Sequence, residues 1–204
     1  MPELRLRFEK TGKAAYLSHL DVLRTFQRAF VRAGIPVKHS EGFNPHPKMS
    51  IAAPLQLGCE SVCEVLDVQI LSVPADLPAA LNPALPEGLR VLGAGEPVLG
   101  VGKIAWADWE LIFDRDCAEA EGLLRAGKPL VVEKKTKRGL NPLDIAPHIR
   151  VLGREGEILR LRIRAAEPTV NTGDVSWALE HCGLPVPRKC RRMALYDADL
   201  KGFA

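Results

Sequence analysis

Two histidines lie in stretches of sequence that could bind a phosphate and transfer a proton. His19 follows Ser18, a residue type that favours the position before a helix, and His46 lies in the segment KHSEGFNPHPKMS, residues 38–50. A helix N-terminus attracts anions and disfavours an imidazolium, so a neutral His19 could act as a base or donor beside a phosphate. The alternative is that His19 only packs or hydrogen-bonds locally. His19 and His46 are therefore the candidate catalytic residues.

The segment around His46 has the composition of a stiff, extended loop. Pro45 and Pro47 hold Asn44 and His46 out of the helical region, and Gly42 allows a sharp bend or the close approach of a ligand. Stiffness lowers the entropy that is lost on binding. We predict a ligand-facing loop, and the alternative is a lead-in to a strand that buries the aromatic ring in the core. The predicted binding residues are Gly42, Phe43, Asn44, His46 and Lys48.

A zinc site is the third interpretation of this region. It would combine His39 and His46 with Cys59 and Cys63, but this spacing matches no standard zinc site. Two cysteines four residues apart on a strand would also lie about 13 Å from each other, too far to bind one metal. The five cysteines are scattered, which is typical of reduced thiols rather than of a secreted disulfide framework. We expect neither a metal nor a cofactor.

Four groups of basic residues point to the phosphate backbone of a nucleic acid. One group recurs every four residues on a predicted helix, one alternates with apolar residues about 7 Å apart in EILRLRIRA, and two lie in EKKTKRG and PRKCRR. In that order they are Arg24, Arg28 and Arg32; Arg160, Arg162 and Arg164; Lys134, Lys135, Lys137 and Arg138; and Arg188, Lys189, Arg191 and Arg192. We predict that the last three groups converge on one RNA-binding face; ordinary solvated surfaces are the alternative.

The net charge of +3 is spread unevenly along the chain. Residues 1–50 carry +5, residues 51–133 carry −8 and residues 134–204 carry +6, a polarised pattern that indicates a nucleic-acid partner. The apolar fraction of 47% is enough for a hydrophobic core and excludes a disordered chain. No apolar run approaches the roughly 20 residues that span a bilayer, and the N-terminus lacks the apolar region of a signal peptide. We expect a cytoplasmic protein with no membrane contact.

The elements that must position these residues follow from the hydrophobic pattern. Alternation in ELRLRFE predicts a half-buried strand, and the stretch after it predicts a helix over residues 18–34. Ser18 and Asp21 resemble a capping box, and Gly34 with Pro36 ends the helix. Its predicted buried stripe consists of Leu20, Leu23, Phe26 and Phe30.

The pattern of strands and helices then repeats. The second copy is predicted as a strand in WELIFD, a helix in DCAEAEGLLRAG capped by Asp116 and Glu119, strands in PLVVEKK and EILRLRIRA, a helix in NTGDVSWALEHCG and a strand in CRRMALY. The glycines that end the helices are spaced similarly, 93 residues from Gly34 to Gly127 and 95 from Gly88 to Gly183. We predict an α+β fold of two ferredoxin-like halves in tandem, residues 1–100 with the SHLD and GFNPHP motifs and residues 108–204 with the basic clusters.

Chain length then predicts where the loop lies. A helix of about fifteen residues spans roughly 22 Å, and about seven extended residues return that distance. Counted from Pro36, the returning chain reaches Gly42 and Phe43 at the level of His19. We therefore predict that His46 and His19 border one pocket.

The stretch YLSHLDVLRTFQRAFVRAGIPVKHSEGFNPHPKMSIAAPLQLGCESVCEVLDV resembles the radical-SAM-linked proteins, a bacterial family of largely unknown function. KKTKRGLNPLDIAPHI and CRRMALY are similar to later motifs of that family. The resemblance implies a cytoplasmic RNA-binding accessory protein that works with a radical SAM partner in RNA modification or translation-linked RNA metabolism. The chain itself lacks a C-x-x-x-C-x-x-C motif, so we do not expect it to bind an iron–sulfur cluster.

The tandem layout also resembles the RAMP-type endoribonucleases, some of which use a histidine of the first half in metal-independent RNA cleavage. That resemblance concerns the fold, and it makes His19 and His46 the residues to test. Three hypotheses therefore remain open: an RNA-binding accessory protein, a metal-independent endoribonuclease, and a structural scaffold for the partner enzyme.

Overall fold

The structure is a computed structural model that describes residues 3–136 and 139–203. Within these residues the chain forms ten strands and four α-helices, so the predicted α+β class is confirmed. The chain divides into two compact units, here called unit 1 (residues 3–103) and unit 2 (residues 104–203). None of the helices in the described ranges is both long enough and apolar enough to cross a membrane.

Unit 1 contains an antiparallel sheet and two helices. Its elements are β1 (Glu3–Lys10), α1 (His19–Arg32), β2 (Met49–Ile51), β3 (Glu60–Gln69), α2 (Leu77–Leu81) and β4 (Leu89–Gly95). Strand β1 lies between β4 and β3, and the short β2 pairs with β3. The order of strands and helices is the one predicted for this part of the chain.

Helix α1 begins and ends where the sequence predicts. The Ser18 hydroxyl accepts a hydrogen bond from the Asp21 amide and donates one to its carboxylate. At the other end Gly34 adopts a φ of +67°, a left-handed conformation that favours glycine and stops the helix.

The face that α1 buries differs in part from the predicted one. Its fully buried residues are Val22, Phe26, Ala29 and Phe30, and the Phe26 ring packs edge-on against Phe8 of β1 at 4.8 Å. Leu23 is half-buried, whereas Leu20 is 57% exposed, so its assignment to the stripe is wrong. The physical reason is the helical period: residues 22, 26, 29 and 30 share one face, and residue 20 lies to its side.

Unit 2 also contains an antiparallel sheet and two helices. Its elements are β5 (Trp106–Ile112), α3 (Ala118–Arg125), β6 (Val131–Thr136), β7 (Gly139–Asp144), β8 (Ile149–Glu155), β9 (Ile158–Arg164), α4 (Thr172–His181) and β10 (Lys189–Tyr196). The order in the sheet is β10-β5-β9-β8, and β6 and β7 form a separate hairpin.

This hairpin corrects the predicted path of the second half. PLVVEKK forms a strand, but that strand, β6, pairs with β7 and not with β9. The place beside β9 is taken by β8, which the sequence analysis missed because a register shift between Val151 and Gly153 breaks its alternation. Lys134 and Lys135 of the basic stretch therefore lie on β6, a strand of this separate hairpin, and not on a strand that pairs with β9.

The caps of the two long helices of unit 2 differ. Helix α4 begins with a capping box in which Asn171 and Asp174 exchange side-chain and backbone hydrogen bonds. The predicted Asp116–Glu119 pair at α3 is wrong, because Cys117 is the N-cap and Asp116 instead accepts a hydrogen bond from the Ala118 amide.

Candidate functional site

The GFNPHP motif forms a closed, protruding loop, here called the motif loop (residues 40–46). At its base His39 pairs with Pro47, and the Ser40 amide donates to the His46 carbonyl at 2.7 Å. The His46 amide donates to the Ser40 hydroxyl at 3.0 Å, and Gly42 makes the turn with a φ of +130°. Backbone hydrogen bonds thus hold a loop whose tip makes few packing contacts.

Phe43 lies at the tip of the motif loop and is fully exposed, at 109% of the reference area. The alternative interpretation that Phe43 enters the core is therefore wrong. A fully exposed aromatic ring on a hydrogen-bonded loop has no packing role in this chain, which leaves its surface available to a ligand.

A cavity of about 630 Å³ lies between the C-terminal half of α1, the turn that follows it and the base of the motif loop. Most of its lining is apolar, and none of its twelve described lining residues is acidic. We call it the α1 groove. It is lined by Gln27, Arg28, Phe30, Val31, Arg32, Gly34, Ile35, Pro36, Val37, His39, Pro47 and Met49.

The cationic side chains of the groove come from two of the predicted binding residues, and His39 adds an imidazole. Arg28 and Arg32 are exposed, and within the described residues neither forms an ion pair; Arg32 donates to the Ala84 carbonyl. Lys48, exposed just after the motif loop, also makes no ion pair in the described ranges. Arg24 lies outside the groove lining and 3.5 Å from Asp21, in an exposed pair of little energetic weight.

His46 and His19 do not share a described cavity, so the predicted common pocket is wrong. The base of the motif loop lines the α1 groove at the C-terminal half of the helix, whereas His19 lies near Ile51 and Leu55. The prediction assumed a straight return of the chain. Residues 40–46 instead fold back on themselves, and the chain runs along the helix only when it reaches β2.

His19 lies beside two buried charged residues that the sequence analysis missed. Together with apolar side chains, His19, Lys10 and Glu64 line a cavity of about 10 Å³, roughly the space for one water molecule. Lys10 is 3% exposed and donates to the Ala15 carbonyl, and Glu64 is 2% exposed. The available signal was Lys10 itself, which falls on the inward-facing positions of the alternating strand ELRLRFEK.

The arginines of β9 are matched by carboxylates on the neighbouring strands. Arg162 forms a two-point ion pair with Asp108 of β5, at 2.6 and 2.8 Å, and stacks on the Tyr196 ring at 4.3 Å. Hydrogen bonding to Asp108 raises the pKa of the Arg162 guanidinium. Burial is the main cause of a raised pKa for the Tyr196 phenol, and Asp108 raises that pKa further.

The other two arginines of β9 also bind oxygen atoms of nearby residues. Arg160 contacts Glu110 at 3.2 Å and Glu155 at 3.1 Å, and Arg164 donates to the Glu167 carbonyl. These contacts offset much of the positive charge of the row, whose binding to RNA stays a prediction. The contacts across β5 and β9 follow from the register of the sheet, which pairs Arg162 with Asp108 and Arg160 with Glu110.

Several residues of the remaining basic clusters also have partners among the described residues. Lys134 forms an ion pair with Asp174 of α4, and Arg188 contacts Asp114 at 2.9 Å. Arg192 is 3% exposed and lies over the Trp109 ring. Lys189 and Arg191 are half-buried, Lys137 and Arg138 lie outside the described residues, and the placement of the Lys135 side chain is outside the description as well.

No group of three His, Cys, Asp or Glu side chains that could bind a metal occurs in residues 3–136 and 139–203. All five cysteines are free thiols. Burial is the largest cause of the raised pKa of the Cys117 thiol, so this thiol is a poor nucleophile.

Comparison with solved structures finds chains to which this chain is similar in fold. It is similar to a chain of a Cbf5–Nop10–Gar1 complex, with a TM-score of 0.51 and 10% identity over 94% of this chain and 48% of that chain. A chain of an H/ACA RNP bound to a substrate RNA containing 2'-deoxyuridine gives a TM-score of 0.49, with 10% identity over 98% of this chain and 48% of that chain. The chain thus spans about half the length of these proteins, and the first likeness shows the fold alone.

Comparison of the sequence identifies the family. No curated protein is similar enough to be matched. The profile of the family described as "Uncharacterized protein conserved in bacteria (DUF2344)" matches residues 3–173, which include α1, the motif loop and the β9 arginines. The chain therefore belongs to this conserved bacterial family, DUF2344.

Proposed function

We propose that the chain is an RNA-binding accessory protein and that the α1 groove with the motif loop is its RNA-binding site. The observation that carries the proposal is the composition of this groove: an apolar floor, cations from Arg28 and Arg32, and no acidic residue in the described lining. RNA is the ligand class that combines a polyanionic backbone with flat apolar base faces. An acid-free basic rim attracts the backbone, and an apolar floor accommodates a base.

The proposal assigns different roles to the sequence-predicted residues. Arg28, Arg32 and Lys48 are exposed and positioned to meet phosphates, and Phe43 offers a stacking surface. Gly42 and the Ser40–His46 hydrogen bonds shape the loop that carries this ring. The unit 2 clusters, with their carboxylate partners, have a secondary role in this proposal.

We further propose that the two units are ferredoxin-like domains in tandem, with an arrangement like that of the RAMP proteins. Unit 1 follows the order β-α-β-β-α-β, and unit 2 follows the same order with the β6–β7 hairpin inserted after α3. In both units the first strand lies between the third and fourth strands of that order, with antiparallel neighbours throughout. The hairpin is the part of unit 2 that has no counterpart among the strands and helices of unit 1.

The sequence resemblance to radical-SAM-linked proteins supports a partner for this activity. In the proposed arrangement the chain binds RNA, and a radical SAM protein carries out RNA modification or another step of translation-linked RNA metabolism in the cytoplasm. A tagged form of the chain, expressed together with a candidate radical SAM partner, should retain that protein during purification. Loss of the partner at all salt concentrations would remove this part of the proposal and leave RNA binding unaffected.

RNA binding is tested by fluorescence anisotropy with labelled RNA at several salt concentrations. We expect binding that weakens steeply with salt, because each neutralised phosphate releases counterions. Replacing both Arg28 and Arg32 with glutamine should weaken binding at least tenfold and reduce the salt slope on a single strand by about 1.4. Undiminished binding by this variant would contradict the proposed site.

Metal-independent RNA cleavage is the second candidate function, and the observation that favours it is the shared cavity of His19, Lys10 and Glu64. A histidine beside a carboxylate and an ammonium is a suitable acid–base arrangement. The same RNA incubated with the chain in EDTA distinguishes the candidates. Cleavage that is lost in His19→Ala and kept in His46→Ala would make the protein a nuclease. RNA that is bound but not cleaved supports the accessory role. The absence of both binding and cleavage supports a scaffold.

A further inference from the structure

We infer that the α1 groove binds an unpaired nucleotide of a single strand, with its base on the apolar floor and a neighbouring base stacked on Phe43. The inference rests on the proposed RNA-binding function and adds the structural class of the RNA. It assigns the GFNPHP motif to the recognition of single-stranded RNA.

The groove lining argues for an exposed base rather than a duplex. Phe30, Ile35 and Val37 in the floor, with Val31 and Met49, offer apolar surface that a phosphate backbone cannot use. A duplex hides its base faces in the stack, and its narrow major groove keeps side chains away from the base edges. An unpaired nucleotide exposes both the base face and the phosphate, which matches the apolar floor and the cationic rim.

The groove also contains groups that can hydrogen-bond to the edge of a base. Gln27 has an amide that both donates and accepts, and His39 has an imidazole whose Nδ1 is 3.0 Å from the Val37 carbonyl. Such a combination of an apolar cavity of about 630 Å³ and a few polar groups is typical of a pocket for a small, flat ligand.

Phe43 supplies the second contact to the same strand. It lies four residues from both His39 and Pro47, which line the groove, so the chain keeps its Cα within about 13 Å of either residue. A strand a few nucleotides long can therefore contact the groove and the ring together. The loop is closed by hydrogen bonds, contains Pro45 and is followed by Pro47, so little entropy is lost when the ring stacks on a base.

An acidic peptide is the competing occupant of an apolar, basic groove. It would satisfy Arg28 and Arg32 with carboxylates, but it would leave the fully exposed Phe43 ring without a flat partner. RNA uses the ring, the floor and the cations at once. A peptide is therefore one of the outcomes that the experiment below must separate.

The experiment compares one labelled RNA of about a dozen nucleotides, free and annealed to its complement, in anisotropy titrations with the full chain. We expect the single strand to bind at least tenfold more tightly than the duplex. Phe43→Ala should weaken single-strand binding about tenfold, the scale of one lost base–aromatic stack, and leave duplex binding unchanged. Tyr16→Ala is the matched control, because Tyr16 is an aromatic residue of the same unit that is 73% exposed outside the groove. It should change neither affinity.

Three results would overturn the inference. Equal or tighter binding of the duplex would leave RNA binding intact and remove the preference for unpaired nucleotides. Equal weakening of both forms by Phe43→Ala would also remove the preference for unpaired nucleotides. If poly-glutamate of matched charge displaced the single strand as well as unlabelled RNA does, the groove would be a site for an acidic peptide. Failure of both RNA forms to bind would overturn the proposed function itself and this inference with it.

Discussion

The α1 groove of unit 1 and the sheet of unit 2 place arginines in opposite situations. In unit 1, Arg28 and Arg32 lie exposed beside an apolar groove and form no ion pair with the described residues. In unit 2, Arg160 and Arg162 are opposite Glu110 and Asp108 in the neighbouring strand and are bound to them. The difference teaches that the number of cations in a sequence does not show which of them are ion-paired; the residue opposite each cation on the neighbouring element decides that.

The largest expected effect comes from comparing a buried phenylalanine of unit 1 with an exposed one. Phe26→Ala removes a ring that is fully buried against Phe8 and should lower the free energy of unfolding by about 3–5 kcal/mol. Phe43→Ala removes a ring that touches little and should change that free energy by less than about 0.5 kcal/mol. Urea denaturation followed by circular dichroism measures both. A large loss of stability in Phe43→Ala would return the motif loop to a packing role.

The arginines themselves give the next largest effect. Arg162→Ala leaves Asp108, which is only 15% exposed, without its two-point partner, and it also removes the stacking on Tyr196. We expect a loss of about 2 kcal/mol in the free energy of unfolding. Arg28→Ala is the matched variant in unit 1 and should cost less than about 0.5 kcal/mol. The comparison fails if the same denaturation experiment gives equal losses for the two.

Much of the scaffold could be predicted because its signals are local. Ser18 and Gly34 delimit α1 through capping and a left-handed turn, and both act within a few residues of the chain. The pairing of the arginines depends on register between distant strands, yet a partial signal was available. Asp108 and Glu110 alternate in WADWELI with the same period of two as the arginines of β9, so one sheet face had to carry both charges once the strands paired.

The position of the groove could not be predicted, because it depends on contacts that the sequence pattern does not reveal. Its position depends on hydrogen bonds between Ser40 and His46 that turn the motif loop back on itself, whereas counting residues assumes an extended path. The β6–β7 hairpin was not predicted, because the composition of PLVVEKK indicates a strand but does not indicate which strand it pairs with. The burial of Lys10 and Glu64 beside His19 likewise depends on tertiary packing.

The helix caps provide a smaller effect that separates the units. Ser18→Ala should lower the free energy of unfolding by about 1 kcal/mol, because it removes the hydroxyl that accepts from the Asp21 amide. Asn171→Ala in unit 2 should cost at least as much, since the capping box there exchanges two hydrogen bonds. Thermal unfolding by calorimetry orders the two variants. A neutral Ser18→Ala would mean that tertiary packing alone holds the start of α1.

The smallest expected effect is the response of unit 2 to alkaline pH. Burial, aided by Asp108, raises the pKa of Tyr196 in the folded chain above the ordinary value near 10. Below that value the phenol is protonated in both states; above it the unfolded chain loses the proton first, so stability falls as the pH rises. Tyr196→Phe should therefore lose less stability than the parent chain between pH 9 and pH 11 in urea titrations. Parallel pH dependences of the two proteins would contradict the raised pKa.

The central proposal is that arginines without a carboxylate partner, rather than ion-paired ones, bind RNA. Two variants with the same charge change test it: Arg28→Gln with Arg32→Gln in the α1 groove, and Arg125→Gln with Arg160→Gln in unit 2, where both arginines contact glutamates. Each lowers the net charge from +3 to +1, so a purely global charge effect would be equal. In anisotropy titrations with one labelled single-stranded RNA, the groove variant should bind at least tenfold more weakly, and the unit 2 variant should remain within about twofold of the parent chain. Equal losses, or a larger loss in the unit 2 variant, would contradict the account.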